Sequence, residues 1–116
     1  MKKKTVFISH LVGGDVHGNA KKILDICKKI HDKNIIPVVP YLVTIRYLND
    51  EIAEDRKLGM EANFEAFRRG YIDEVWLFGD RISPGMEQEI RLALELSIPI
   101  FPKTDGTKKD FANFAK

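Results

Sequence analysis

One cysteine, no long apolar run and almost no net charge leave the chain short of the patterns that assign a compartment or a polymeric partner. Cys27 stands alone, which excludes an internal disulfide and any multi-cysteine metal site. It falls at helical spacing with Ile23, Ile26 and Ile30 and reads as a core thiol. No apolar stretch approaches the ~20 residues that span a bilayer. The Lys-rich start, followed only by Val6-Phe7-Ile8, is too short for a secretory signal. No membrane partner and a cytoplasmic location are therefore expected. Basic and acidic side chains number 19 and 17, for a net charge of +2. Lys2, Lys3, Lys4 and Lys116 belong to the tails, so no basic face forms and polymeric nucleic acid is not expected as a partner. Walker-type and dinucleotide fingerprints are missing, because the glycine-rich stretch from Gly13 to Gly18 has the wrong spacing. His10, His17 and His31 do not make a ligand set, and neither a metal nor a cofactor is expected. Internal repeats and low-complexity segments are also absent.

What the chain does have is an alternation of strands and helices within 116 residues, enough for one domain spanning residues 1–116. Strands are expected at Thr5–Ser9, Ile35–Val39, Glu74–Phe78 and Ile98–Phe101. The helices between them are expected from Asn19, as N-cap, to Lys33, then at Asp55–Gly70 and Pro84–Ser97. Tyr41 to Glu54 reads as a long loop, and the tail after Pro102 as polar, with one helical turn at Asp110–Ala115. Continuous apolar strands alternating with helices mark a parallel sheet covered on both faces. The expected fold is α/β, three-layered and flavodoxin-like, with strand order 2-1-3-4. That order makes strands 1 and 3 neighbours and opens a crevice between the loops Ser9–Gly18 and Gly79–Pro84, where such sheets bind ligands.

The most informative stretch runs from Asp80 to Glu89. At 100° per residue, Met86, Ile90, Leu92, Ala93, Leu94 and Leu96 share one arc of the helix. Glu89 falls inside that apolar arc. A carboxylate there loses water, and must find a partner or do work. It also lies within two turns of the helix start, where the dipole favours its ionised form. An ionised, partly desolvated glutamate at the carboxyl end of a strand is a candidate catalyst, expected to share a pocket with Ser9 or His10. The plain alternative is a boundary carboxylate that turns to solvent or pairs with a lysine.

Other candidates surround the same crevice. Ser83 before Pro84 is ordinary N-cap grammar, yet with Gly85 and Met86 it also builds a helix start that accepts anions. Gly13 and Gly14, followed by Asp15, either form a turn or present N–H groups to a phosphate or ribose. His10 is expected to hydrogen-bond a ligand rather than a metal. Asp80 closes the third strand, as a ligand contact or a plain loop carboxylate. Arg46, Tyr47 and Asp50 in the long loop either bind a ligand or fix the loop.

These residues resemble the nucleoside 2-deoxyribosyltransferase superfamily, which includes the 2'-deoxynucleoside 5'-phosphate N-hydrolases, and the likeness runs from Val6 to Ile100. Its most specific part is Ser83-x-Gly85-x-x-x-Glu89-x-x-x-Ala93. It is joined by His10-Leu11-Val12-Gly13-Gly14 and by Pro40-Tyr41-Leu42. The resemblance implies an N-glycosidic hydrolase or deoxyribosyltransferase acting on a nucleoside or nucleotide. Glu89 would be its nucleophile and Ser83 would contact the phosphate. Tyr41 would stand where relatives often have histidine, and a second carboxylate position would fall at Asn63 or Glu65. It also implies a homodimer whose neighbouring subunit completes the pocket. The chain departs from the hydrolases in having Val12 where they carry an arginine. A binding module that senses or sequesters a nucleotide without turnover would use the same pocket.

Overall fold

A computed structural model describes residues 2–114. It contains β1 (Lys4–Ser9), α1 (Val16–Ile30), β2 (Ile35–Val38), α2 (Tyr41–Thr44), α3 (Ala53–Arg68), β3 (Glu74–Leu77), α4 (Pro84–Glu95), β4 (Ile100–Pro102) and α5 (Asp105–Phe114). The four strands form one all-parallel sheet in the order β2-β1-β3-β4. This is the expected flavodoxin-like order, and β1 and β3 are neighbours.

Register explains which side chains meet. Phe7 pairs with Val75 and Ser9 with Leu77, so these four project to one side of the sheet. Phe7 packs there on Phe67 of α3 and Tyr41 of α2, at ring-centroid distances of 4.7 and 5.8 Å. The side chain of Ser9 meets α4 on the same side. Val6 and Ile8 face the other way, fully buried, toward the side packed by α1 and its buried Ile23.

Several expectations need correction. α1 starts at Val16, because Asp15 caps it by accepting from the Gly18 amide at 3.0 Å. Asn19 instead lies inside the helix and is buried. The 41–54 segment is not a plain loop: Tyr41–Thr44 forms a helical turn after Pro40. β4 is shifted to Ile100–Pro102, although the Pro99 carbonyl still accepts from Val75. On α4 only Met86, Ile90 and Ala93 form the fully buried apolar stripe, while Leu94 and Leu96 are exposed. A single helix on a sheet buries a narrow stripe, and Leu94 and Leu96, about 200° apart around the helix, fall on its two opposite edges.

The tail is a ten-residue helix rather than one turn, and the expected end at Ala115 lies outside the described residues. α5 is tied to the β3–α4 loop. Thr104 Oγ1 bonds the Gly79 carbonyl at 2.5 Å, Thr107 Oγ1 bonds the Leu77 carbonyl at 3.3 Å, and Asp110 accepts from the Ile82 amide at 2.9 Å. Gly106 lets the helix lie directly on the Asp80 backbone, since a Cβ there would collide with the Asp80 carbonyl. The loop that presents Ser83 is therefore held by contacts from sequence 25 or more residues away.

Candidate active site

The carboxyl ends of β1 and β3 open onto a pocket of about 260 Å³. Its walls come from the loop after β1 (His10 to Gly13), from Tyr41 and Thr44 of α2, from α3 and from the start of α4. Most of the lining is apolar, and a few polar groups converge in it, which is the usual composition of a small-molecule site.

Glu89 lines this pocket with 9 % of its surface exposed. Ser9 Oγ donates to its Oε1 at 2.7 Å, and Asn63 Nδ2 donates to its Oε2 at 3.3 Å. One residue each from β1, α3 and α4 thus meets at the carboxyl. Burial pushes its pKa up to about 8, and the hydrogen bond from Ser9 opposes that rise. The expected ionised carboxylate is thereby corrected. Desolvation outweighs the helix dipole two turns into α4, and at neutral pH the group is mainly a carboxylic acid.

Asn63 is itself 8 % exposed, and its Oδ1 has no hydrogen-bond partner among the described residues. The two ends of an amide are assigned from their hydrogen bonds rather than from their shape. Turned over, the amide would accept Oε2–H from the neutral acid; as placed, it donates to the carboxylate. Asn63 can therefore serve both protonation states of Glu89. Glu65, the other position considered for a second carboxylate, points outward and pairs with Arg69 at 2.9 Å.

Tyr41 is buried at the pocket wall, with its hydroxyl donating to the Ile8 carbonyl. Desolvation, with the Glu89 charge as a lesser cause, holds its pKa well above the ordinary value, so it stays a neutral donor. His10 Nδ1 lies 2.6 Å from the Leu11 carbonyl, an arrangement in which Nδ1 carries the proton and donates. The His10 ring packs beside Gly79, whose φ of +97° is a glycine conformation.

Ser83 is 4 % exposed, and its Oγ accepts from the Met86 amide at 3.3 Å, capping α4. Gly85, with nothing within 4 Å of a would-be Cβ, and Met86 share the pocket wall with it.

The sequence-derived candidates thus divide. His10, Gly13, Tyr41, Asn63, Ser83, Gly85, Met86 and Glu89 all line the pocket. Ser9 stands behind Glu89 and reaches the pocket only through it. Gly14, Asp15 and Asp80 are outside the lining: Asp15 caps α1, Asp80 supports α5, and Gly14 (φ +87°) turns the chain away.

Sequence reasoning missed two sets of residues. Asn19 donates from α1 to the Val12 and Gly13 carbonyls at 3.1 and 3.2 Å and so fixes the loop after β1. Asp55, Arg56, Gly59, Met60 and Phe64 form the α3 wall of the pocket. Their signal was a weakly amphipathic helix whose polar and apolar residues both face inward near its start.

The chain belongs to the family described as a domain of unknown function (DUF7768), which matches residues 4–102. The match takes in every element that builds the pocket and stops before α5. No curated protein and no solved structure matches the chain.

Proposed function

We propose that this domain cleaves the N-glycosidic bond of a nucleoside or nucleotide, with Glu89 as the nucleophile. The observation that carries the reading is a carboxyl buried at the sheet's crevice, facing a small pocket and held by Ser9 and Asn63. In the ionised state a carboxylate oxygen attacks C1' of the sugar. The C1'–N bond breaks, its electron pair leaves with the base, and the base takes a proton. Water, or a second base, then opens the glycosyl ester and restores Glu89. His10, Gly13, Tyr41 and Gly85 line the space that would hold the sugar. The Ser83-x-Gly85-x-x-x-Glu89-x-x-x-Ala93 pattern, which resembles the deoxyribosyltransferase superfamily, supports the same chemistry.

Incubation with a panel of ribo- and deoxyribonucleosides and their 5'-monophosphates should release free base from at least one member, seen by chromatography. No release from any of them would defeat the enzyme reading.

A second reading, a nucleotide-binding module without turnover, is favoured by one observation. Burial raises the pKa of Glu89 to about 8, both of its oxygens accept hydrogen bonds, and the position beside it is an amide rather than another carboxylate.

The proposal includes a homodimer that closes the open side of the pocket. Val43, Ile52 and Leu58 expose apolar surface on α2 and at the start of α3. Sedimentation equilibrium should give twice the chain mass, and a monomer at all concentrations would remove this part.

A further inference from the structure

Breaking the bond between C1' and a neutral base asks for more than a nucleophile, because the base must take a proton as it leaves. The pocket is poor in groups that could give one while Glu89 is ionised. The side chain beside Glu89 is the Asn63 amide, 3.3 Å away. His10 commits its Nδ1 proton to the Leu11 carbonyl, which leaves Nε2 an acceptor. The hydroxyls of Tyr41, Thr44 and Ser83 are far weaker acids than the step needs, and desolvation holds the pKa of Tyr41 higher still. Asp50 and Asp55 act as acceptors: Asp50 lies 4.0 Å from Arg56 Nε, and Asp55 accepts from the Asn49 amide at 2.9 Å.

The same walls suit a positive charge. Among the described residues of the lining, Asp50 and Asp55 stand against one arginine, Arg56, so these side chains are net negative before Glu89 ionises. Asn63, 8 % exposed, lines the pocket with an Oδ1 that no hydrogen bond satisfies while its amide donates to Glu89. A buried carbonyl oxygen left in that state calls for a partner of positive character. An opposite charge beside a buried carboxyl also favours its ionised form. A cationic ligand would therefore turn Glu89 into the carboxylate that attacks, although burial alone holds it mainly as the acid at neutral pH.

We propose that the substrate is an N-glycoside whose base already carries a positive charge on its ring, such as a pyridinium or an N7-alkylated purine nucleoside. The inference rests on reading the domain as an N-glycosidase and names the substrate class of that site. A Glu89 oxygen bonds to C1', the C1'–N bond breaks, and its electron pair neutralises the ring, so the base departs without a proton. A water oxygen then bonds to C1', the electron pair of the ester C1'–O bond returns to Glu89, and a proton of that water passes to solvent. Atoms and charge balance with water as the one co-reactant.

The test pairs nicotinamide riboside with its reduced, uncharged dihydro form, which keeps the sugar and the carboxamide. Calorimetric titration of the full chain, at low salt and in the Glu89→Gln background, should show the cation binding about tenfold tighter, the scale of one screened unit charge nearby. Asp55→Asn should shrink that ratio and Arg56→Gln should widen it, with circular dichroism monitoring each fold. Opposite shifts from two neighbouring substitutions do not come from a general loss of structure. In the wild type, nicotinamide release should exceed base release from neutral nucleosides by more than the two differ in enzyme-free buffer. Equal binding of the two forms, or a ratio that neither substitution moves, would overturn the proposal. Release from neutral nucleosides at the larger enzymatic advantage rejects the charged base and spares the N-glycosidase reading. No release from either class rejects that reading and the substrate proposal with it.

Discussion

Glu89→Gln should stabilise the protein at pH 8 by several kcal/mol more than it does at pH 4. The carboxyl has a folded-state pKa of about 8, against an ordinary value of 4.5. Because the folded state holds this proton more tightly, the associated stability is complete below pH 4.5. It is lost as pH rises from there through about 8, where the unfolded chain has already ionised. A difference of about 3.5 pH units at 1.36 kcal/mol each sets an upper size of ~5 kcal/mol for the loss. Glutamine has no proton to lose and escapes it. It also suits the site: its carbonyl can accept from Ser9, and once the Asn63 amide is turned over its own amide can donate to Asn63 Oδ1. Tyr41, the nearest other perturbed group, is shifted further above its already alkaline range and stays out of this window. Urea unfolding of both proteins from pH 4 to 8.5 provides the comparison. A difference that stays flat with pH would mean that Glu89 is hydrated in solution and that the pocket is not dry.

The parts of the fold that were legible in the sequence are those where local pattern and tertiary demand agree. Val6-Phe7-Ile8 and Val75-Trp76-Leu77 are apolar on both sides, as central strands of a parallel sheet must be. Once β1 and β3 are neighbours, the crevice and the Glu89 region follow from topology alone. α5 was not legible. Its sequence, with Lys108, Lys109 and Asp110 in the middle, has little apolar periodicity, and its placement depends on Thr107, Gly106 and Asp110 meeting backbone groups of the distant β3–α4 loop. Leu94 and Leu96 misled for the opposite reason. Angular position on α4 says where a side chain points, but not whether another element lies there to cover it.

At the site, the position of Glu89 inside the apolar arc singled it out while leaving a turn to solvent open, and the structure buries it. Its charge state was not legible, because a dipole can be counted along a helix whereas the depth of desolvation depends on three other elements closing over the carboxyl. Asn63 against Glu65 was likewise a matter of helix phase. Two residues along α3 turn a side chain by about 200°, and only packing decides which one faces the pocket.

The same Glu89→Gln chain should lose base release by about a thousandfold or more, the scale expected when a nucleophile is removed. An amide has no anionic oxygen to attack C1', whereas shape and hydrogen bonding are largely kept, so substrate should still bind. The pH profile assigns the role as well as the residue. If the carboxylate is the attacking group, only the ionised fraction works. That fraction is about one tenth at pH 7 for a pKa of about 8, so the wild-type rate should climb nearly tenfold per pH unit below that point and level off above it. A profile that instead falls above pH 8 would make the protonated Glu89 a proton donor to the leaving base and displace it as nucleophile. Turnover that survives in Glu89→Gln would place the chemistry on another residue altogether. Tight nucleotide binding by both proteins, with no base released at any pH where the wild type remains folded, would establish the binding module. Asn63→Asp adds a second carboxyl 3.3 Å away and should move the wild-type pH midpoint upward, since two neighbouring carboxylates resist ionising together. A midpoint unmoved by that substitution would show that the rate does not report on Glu89.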